Sequence, residues 1–155
     1  MRTGRRIALD IGKARIGVAV SDPFGILASP RDHLLRGETE ALVEAVRTLV
    51  ATEEAIEIYV GLPINLRNAH TESTADAISM ALEISKVLSI PVRIIDERLT
   101  TKLASTAMSN AGKNTREQRG VIDSASAAII LETALQFEKV NSSPPGRPVS
   151  EFDDE

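Results

Sequence analysis

The sequence predicts an α/β fold in which helices pack on both faces of a mixed β-sheet. Three observations lead to this prediction. The start of the chain alternates apolar and polar residues as antiparallel strands do, the rest alternates strand-like with helix-like segments, and a length of 155 residues suits one compact domain with its own core. Because hairpins come first and crossover helices follow, the sheet is expected to combine antiparallel with parallel strands.

The chain begins with a predicted β-hairpin. Apolar residues alternate over residues 5–11 and again over 15–21, and the sequence GKAR makes a tight link between the two strands. A third strand is expected within residues 25–35, after a turn of sequence DP. Residues 38–52 then place apolar side chains at helical spacing with charges opposite them, which predicts an amphipathic helix.

The second half of the chain alternates strands with helices. Residues 55–63 alternate in the strand sense and end in glycine and proline, and residues 90–97 form the last predicted strand. Helices are expected over residues 71–88, 100–112 and 121–137, the second of them with a threonine cap and a glycine stop. Each later strand is thus followed by a helix long enough to cross over the sheet.

The chain is predicted to form one domain over residues 1–139 and a disordered tail over residues 140–155. The tail is rich in proline and serine and ends in acidic residues. It carries most of the formal net charge of −4, so the domain itself is nearly neutral. A nearly neutral domain lacks the basic stripe of a high-affinity duplex binder, although local basic patches can still contact nucleic acid.

Composition excludes several kinds of site. The chain has no cysteine, which removes disulfides, thiolate nucleophiles and cysteine-ligated zinc and fits a reducing compartment. The two histidines, His33 and His70, lie far apart and do not form a zinc-binding spacing. No apolar stretch approaches the length of about 20 residues that crosses a bilayer. We therefore expect a soluble, cytoplasmic protein that makes no membrane contact.

Three carboxylates interrupt apolar sequence at the ends of predicted elements. Asp10 lies between Leu9 and Ile11 near the end of the first strand, Glu97 closes the last strand, and Asp123 begins the final helix. Carboxylates that converge at one end of a sheet repel one another unless a cation neutralises them. Mg²⁺ or Mn²⁺ accepts such oxygen ligands and leaves positions for water and phosphate. The pattern therefore predicts a site for Mg²⁺ or Mn²⁺.

Each of these carboxylates, taken alone, also has a structural explanation. Asp10 can accept hydrogen bonds from backbone amides of the neighbouring turn, and Asp123 can cap the helix that it begins. Glu97 can pair at the surface with Arg93 or Arg98. The metal-site hypothesis therefore depends on all three acids meeting in space.

Four motifs in order, DIGKARIGVAVSD, VGLPINL, DERLTT and VIDSASAAIIL, resemble the YqgF/RuvX family. Its members are candidate pre-16S rRNA nucleases and Holliday junction resolvase-like proteins with an RNase H-like fold. The resemblance implies a five-stranded sheet of three antiparallel strands followed by two parallel ones, with flanking helices. It also implies an acidic site made by Asp10, Glu97 and Asp123, and a role in maturing the 5′ end of 16S ribosomal RNA.

Basic residues on two segments are candidates for binding the substrate's phosphates. The first segment is the turn of the opening hairpin, and the second is a glycine-flanked loop over residues 112–120 that is expected to be mobile. Such cations position a nucleic acid but read little of its sequence, and the chain has few aromatic side chains on which bases could stack. The candidates are Lys13, Arg15, Lys113, Arg116 and Arg119.

The resulting prediction is a metal-dependent endonuclease that hydrolyses phosphodiester bonds in ribosomal RNA precursors. A Holliday junction resolvase-like DNA nuclease is one alternative, and because it would need two coordinated sites, monomer and homodimer both stay open. A second alternative is a non-catalytic RNA-binding factor that acts on ribosomal precursor particles. A third is phosphotransfer, because DIGKARIGVA also resembles the first phosphate loop of the actin-like sugar kinases.

Overall fold

A computed structural model describes residues 1–62, 72–96 and 124–152. The predicted helix over residues 100–112 and the predicted basic loop over residues 112–120 lie outside these ranges. The order of elements in the described residues follows the prediction closely. The strands are β1 (Arg5–Ile11), β2 (Arg15–Ser21), β3 (Ala28–Leu35), β4 (Ala55–Leu62), β5 (Val92–Asp96) and β6 (Arg147–Pro148), and the helices are α1 (Thr39–Glu53), α2 (Glu72–Val87) and α3 (Ala125–Asn141), with a short 3₁₀ helix over Val149–Phe152.

The six strands form one mixed sheet in the order β3-β2-β1-β4-β5-β6. The hairpin strands β1 and β2 pair antiparallel, as do β2 and β3, whereas β4 joins β1 in parallel and β5 joins β4 in parallel. This arrangement confirms the predicted mixed sheet, with six strands instead of five. β1 is central because it pairs with β2 on one edge and with β4 on the other, and the helices on the two faces of the sheet bury it.

Helices cover both faces of the sheet, and the side chains of β1 divide between two apolar clusters. Alternate positions of β1, Ile7, Leu9 and Ile11, belong to the cluster on the face covered by α1 and α2. Ala8 belongs to the cluster on the other face, which includes most of the buried residues of α3. The small side chains of Ala8 and Ala19 on this face let α3 pack close to the sheet.

The segment after residue 140 corrects the prediction of a disordered tail. β6 pairs antiparallel with β5, and Val149 is buried in the apolar cluster of the α1 and α2 face. The guanidinium of Arg93 donates hydrogen bonds to the carbonyl oxygens of Pro145 (2.5 Å) and Gly146 (2.9 Å). Gly146 adopts a φ of +70°, where a Cβ would clash with the carbonyl oxygen of Ile94. The fold therefore includes residues 140–152, although their composition resembles that of a linker.

A cluster of four ions, three of them buried and one exposed, fastens the carboxyl end of α3 to the sheet. Arg6 is fully buried on β1, and its Nη2 donates to Oε2 of Glu138 at 2.9 Å. Nη2 of Arg2 donates to Oε1 of Glu138 (2.5 Å) and to Oε1 of Glu57 (2.8 Å). The hydroxyl of Tyr59 donates to the same oxygen of Glu57 at 2.9 Å. Two arginines thus balance two buried glutamates across three elements of the fold.

The charges of this cluster shift the pKa values of Glu138 and Tyr59 in opposite directions. Burial raises the pKa of Glu138, but hydrogen bonds from the side chain and backbone of Arg2 and the charge of Arg6 outweigh it and leave the pKa below its ordinary value. Burial beside the Glu57 carboxylate raises the pKa of the Tyr59 hydroxyl, which therefore stays a hydrogen-bond donor. The cluster contributes to stability as long as Glu138 is charged.

We predict that Glu138→Gln lowers the free energy of unfolding by about 3 kcal/mol at pH 7, because it leaves the buried Arg6 without its anionic partner. The pKa of Glu138 is lower in the folded chain, so the contribution is complete above the ordinary value of 4.5 and is lost as the pH falls below it. Urea unfolding at pH 7 and pH 4 measures both effects.

The control is Glu53→Gln, which removes the exposed ion pair between Arg31 Nη1 and Glu53 Oε1 (2.7 Å). Exposed pairs contribute at most about 1 kcal/mol, so this variant should unfold almost as the wild type does. Equal effects of the two substitutions would show that the buried cluster does not fasten α3.

Candidate active site

The candidate site lies at the sheet edge where β1, β4 and β5 end. These strands are parallel, and Leu9, Val60 and Ile94 lie at one level because Leu9 pairs with Val60 and Val60 pairs with Ile94. Asp10 is the next residue of β1 and pairs with Gly17 of β2. The carboxyl ends of parallel strands are where α/β folds place their functional groups. The pairing of the Asp10 backbone with Gly17 therefore positions Asp10 at this edge.

Strand alternation places the Asp10 side chain on the face that α3 covers. Successive side chains of a strand point to opposite faces, and Ala8, two residues earlier, packs in the cluster that contains α3 residues. Asp10 is half-buried, whereas Leu9 before it is fully buried. A carboxylate at this position is shielded on one side and remains accessible from the sheet edge.

Asp10 shares a cavity of about 230 Å³ with the turn of the opening hairpin. The turn contributes Gly12, Lys13, Ala14 and Arg15 to its lining, and the side chains of Lys13 and Arg15 are exposed. Two of the predicted phosphate-binding cations thus lie beside the predicted catalytic acid. A half-buried carboxylate next to two exposed cations can bind both a metal ion and the phosphates of a nucleic acid.

The turn itself is built on Gly12. Its amide donates a hydrogen bond to the carbonyl oxygen of Arg15 at 2.9 Å, which closes the turn. A Cβ on Gly12 would lie 2.6 Å from that same oxygen, so only glycine allows this close approach. The tight turn keeps Lys13 and Arg15 next to the end of β1.

The other predicted site residues lie outside the described residues. They are Glu97, Asp123, Lys113, Arg116 and Arg119. Within residues 1–62, 72–96 and 124–152, no group of three histidine or acidic side chains could hold a metal ion. The acidic triad therefore stays a prediction of the sequence.

The described neighbours of Glu97 and Asp123 lie on the elements that form this edge. Asp96 is the last residue of β5 and pairs with Leu62 at the end of β4. Ser124 precedes α3, is fully buried, and its hydroxyl oxygen accepts a hydrogen bond from the amide of Val18 at 2.9 Å. Val18 follows Gly17, the residue that pairs with Asp10. The start of α3 is thus fixed one strand away from Asp10.

Arg36 is a site residue that sequence reasoning missed. Its Nη1 donates to the carbonyl oxygen of Gly12 (2.8 Å) and to Oδ2 of Asp76 (2.7 Å), and its Nη2 donates to Oδ1 of Asp76 (2.6 Å). Its amide donates to the carbonyl oxygen of Ala14 at 2.9 Å. No local pattern could have shown this role, because Asp76 lies 40 residues away on α2.

A family model described as RuvX, Holliday junction resolvase, matches residues 4–137 of this chain. A protein of Leifsonia xyli is 43% identical over 149 residues, which cover 96% of each chain. A protein of Streptomyces coelicolor is 43% identical over 150 residues, covering 96% of this chain and 90% of the relative. Both relatives are named as candidate pre-16S rRNA nucleases.

Two solved structures share the fold. Thermus thermophilus RuvC in complex with a Holliday junction substrate matches with a TM-score of 0.61 and 13% identity, covering 94% of this chain and 99% of the other. Another structure of Thermus thermophilus RuvC matches with a TM-score of 0.58 and 15% identity, covering 93% and 99%. At this identity the likeness concerns the fold alone, and it confirms the predicted RNase H-like architecture.

We predict that Ser124→Ala lowers the free energy of unfolding by about 1–3 kcal/mol, because the buried amide of Val18 loses its hydrogen-bond acceptor. The matched control is Ser85→Ala on α2, whose hydroxyl donates to the Leu82 carbonyl within the same helix and whose loss should change stability by less than about 0.5 kcal/mol. Chemical denaturation measures both. If Ser124→Ala unfolds like the wild type, the hydrogen bond to Val18 does not hold the start of α3.

Proposed function

Because this chain belongs to the RuvX family of Holliday junction resolvases, we propose that it is a nuclease that hydrolyses phosphodiester bonds, with precursor 16S ribosomal RNA as its substrate. The family model covers most of the chain, and the relatives named as candidate pre-16S rRNA nucleases align over nearly their whole length. The substrate is taken from the names of those relatives.

The observation that carries the proposal is the cavity that joins Asp10 to Lys13 and Arg15. A hydrolase that acts on a phosphodiester needs an acidic group at the reaction centre and cations that hold the flanking phosphates. Strand pairing holds the backbone of Asp10, and a tight turn holds the backbone of the two cations, so their side chains begin next to one cavity. The phosphotransfer alternative finds no support in the family match.

The proposed metal is Mg²⁺ or Mn²⁺, held by Asp10, Glu97 and Asp123. Asp10, the one of these three acids that lies within the described residues, fits such an ion. Its half-buried carboxylate is a hard oxygen ligand, and the cavity leaves room for water beside it. The cations in the same cavity are exposed, so they can contact phosphates that approach from solvent.

Chain connectivity supports the participation of Glu97 and Asp123. Consecutive Cα atoms are about 3.8 Å apart, so Glu97 begins within one residue of the end of β5, and Asp123 within one residue of the anchored Ser124. Ile95, two residues before Glu97, packs in the same apolar cluster as Ala8, two residues before Asp10.

The residues of the chain divide the work of hydrolysis. Asp10, Glu97 and Asp123 would bind and orient the metal ion. Lys13 and Arg15 would hold the phosphates next to the bond that is cut. When bound, the metal supplies an activated water and stabilises the leaving oxygen. Lys113, Arg116 and Arg119 are proposed to offset the charge that develops on the phosphate. No covalent link between protein and substrate is required.

The proposed setting is the cytoplasm, where ribosomal precursor particles would present the RNA. No helix within the described ranges is long and apolar enough to span a membrane. The family description favours a second candidate substrate, a four-way DNA junction. The local cations of the turn fit either nucleic acid, because both are contacted through phosphates.

We predict that Asp10→Asn reduces Mn²⁺-dependent cleavage of a precursor 16S leader RNA by orders of magnitude, because the uncharged amide cannot hold a divalent ion. The fold should be unchanged or slightly more stable, since repulsion between acids is relieved. Gel analysis of the products and a thermal melt monitored by circular dichroism measure the two effects.

The matched control is Asp32→Asn, which makes the same chemical change at an exposed position on β3 and should leave cleavage at the wild-type rate. A four-way DNA junction in a parallel assay decides between the two substrates. Wild-type protein that cuts neither, or Asp10→Asn protein that cuts as fast as the wild type, would overturn the proposed nuclease. Binding of RNA without cleavage would favour the assembly-factor alternative.

A further inference from the structure

We infer that Arg36 is a positioning residue that holds the Gly12–Arg15 turn against α2, so that Lys13 and Arg15 are placed to bind nucleic acid. The inference rests on the proposed function, because it assigns a purpose to the two cations of the turn. Arg36 itself need not touch the substrate. Its guanidinium bonds to the backbone of the turn on one side and to a carboxylate of α2 on the other.

The contacts of Arg36 fix the turn at two points. The guanidinium holds the carbonyl oxygen of Gly12 at the start of the turn, and the amide of Arg36 holds the carbonyl oxygen of Ala14 within it. Lys13 lies between these two anchored residues. A turn joined to the sheet only at its ends would leave Lys13 and Arg15 mobile. The two hydrogen bonds from Arg36 restrain the turn between its ends.

Asp76 completes the arrangement by holding the guanidinium in place. Both of its oxygens accept hydrogen bonds from Arg36, in the two-pronged geometry that gives arginine–carboxylate pairs their directional strength. The Arg36 side chain is 19% exposed and that of Asp76 37%, so solvent screens the pair only in part. Hydrogen bonds from Arg36 keep the pKa of Asp76 below its ordinary value, so the pair remains ionised at neutral pH.

Lys13 connects this pair to the candidate site. It lines the cavity that contains Asp10 and also a second cavity of about 320 Å³, whose other lining residues include Arg36, Asp76 and Glu72. The second cavity thus contains two acidic and two basic side chains. A negative charge here opposes the binding of phosphates unless it serves to position a cation.

The direction in which RNA affinity changes when Asp76 is neutralised distinguishes two roles for this carboxylate. If Asp76 were only an acid near a nucleic-acid site, its removal would strengthen binding, because repulsion of the phosphates would fall. If Asp76 holds Arg36 and thereby the turn, its removal weakens binding. Glu72→Gln removes the same charge from the same cavity, and no ion pair joins Glu72 to another described residue.

The experiment compares the wild type with Asp76→Asn, Arg36→Lys and Glu72→Gln. Fluorescence anisotropy measures the Kd for a labelled precursor 16S leader RNA at one fixed salt concentration. We expect Kd to rise about fivefold for Asp76→Asn and Arg36→Lys, as loss of one positioning ion pair would produce, and to stay equal or fall for Glu72→Gln. Lysine keeps the charge of Arg36 but cannot bond the turn and Asp76 together.

Two further readouts separate positioning from general destabilisation. KM should rise with Kd while kcat changes less than about twofold, because the pairing of Asp10 with Gly17 of β2 does not depend on Arg36. Amide hydrogen exchange of Gly12 and Arg36, which bond within the turn, should become about tenfold faster in Asp76→Asn while the β1 amides stay protected.

The outcomes distinguish failure of this inference from failure of the proposed function. Unchanged exchange at Gly12 and Arg36, or tighter RNA binding by Asp76→Asn, would overturn the role of Arg36 even if the wild type cleaves RNA. A wild type that binds RNA without cutting it would overturn the nuclease, and the Kd series would still test the positioning of the turn. A wild type that neither binds nor cuts RNA or junction DNA would overturn both.

Discussion

The position of α3 across the sheet is the constraint on which the rest of the structure depends. Its start is fixed where Ser124 accepts a hydrogen bond from Val18, and its end is fixed where Glu138 binds the buried Arg6. Between these ends the helix buries apolar side chains on Ala8 and Ala19. The start of α3 is therefore held against β2, the strand that pairs with β1 beside Asp10.

The two ends of β1 carry opposite charges on the face under α3. Arg6 lies at the amino end and is neutralised inside the protein by glutamate, whereas Asp10 lies at the carboxyl end and opens on a cavity. The Arg6 charge is paired with Glu138 inside the protein, and this ion pair stabilises the fold. The Asp10 charge is half-buried at an edge lined with exposed cations, where a metal ion and a phosphodiester can reach it. One strand thus supports the structure at one end and the proposed reaction at the other.

Sequence reasoning succeeded where the signal was local. Apolar alternation located β1, β2, β4 and β5, and it placed Asp10 near the end of β1, where the structure has it. It failed where contacts join distant parts of the chain. Glu138 bonds to residues 132 and 136 positions away, Arg36 bonds to Asp76, and the tail pairs with β5 although its prolines resemble a linker. Composition cannot reveal such pairings, because each depends on the sheet already being formed.

The central claim is that Asp10, Glu97 and Asp123 form one metal site at the carboxyl edge of the sheet. Calorimetric titration of Mn²⁺ into the wild type and into Asp10→Asn, Glu97→Gln and Asp123→Asn tests it most directly. A shared site predicts that each single substitution weakens binding strongly, and that a second one adds much less than the first because the ligands act together. Wild-type protein that binds no Mn²⁺, or three variants that bind it as tightly as the wild type, would contradict the claim.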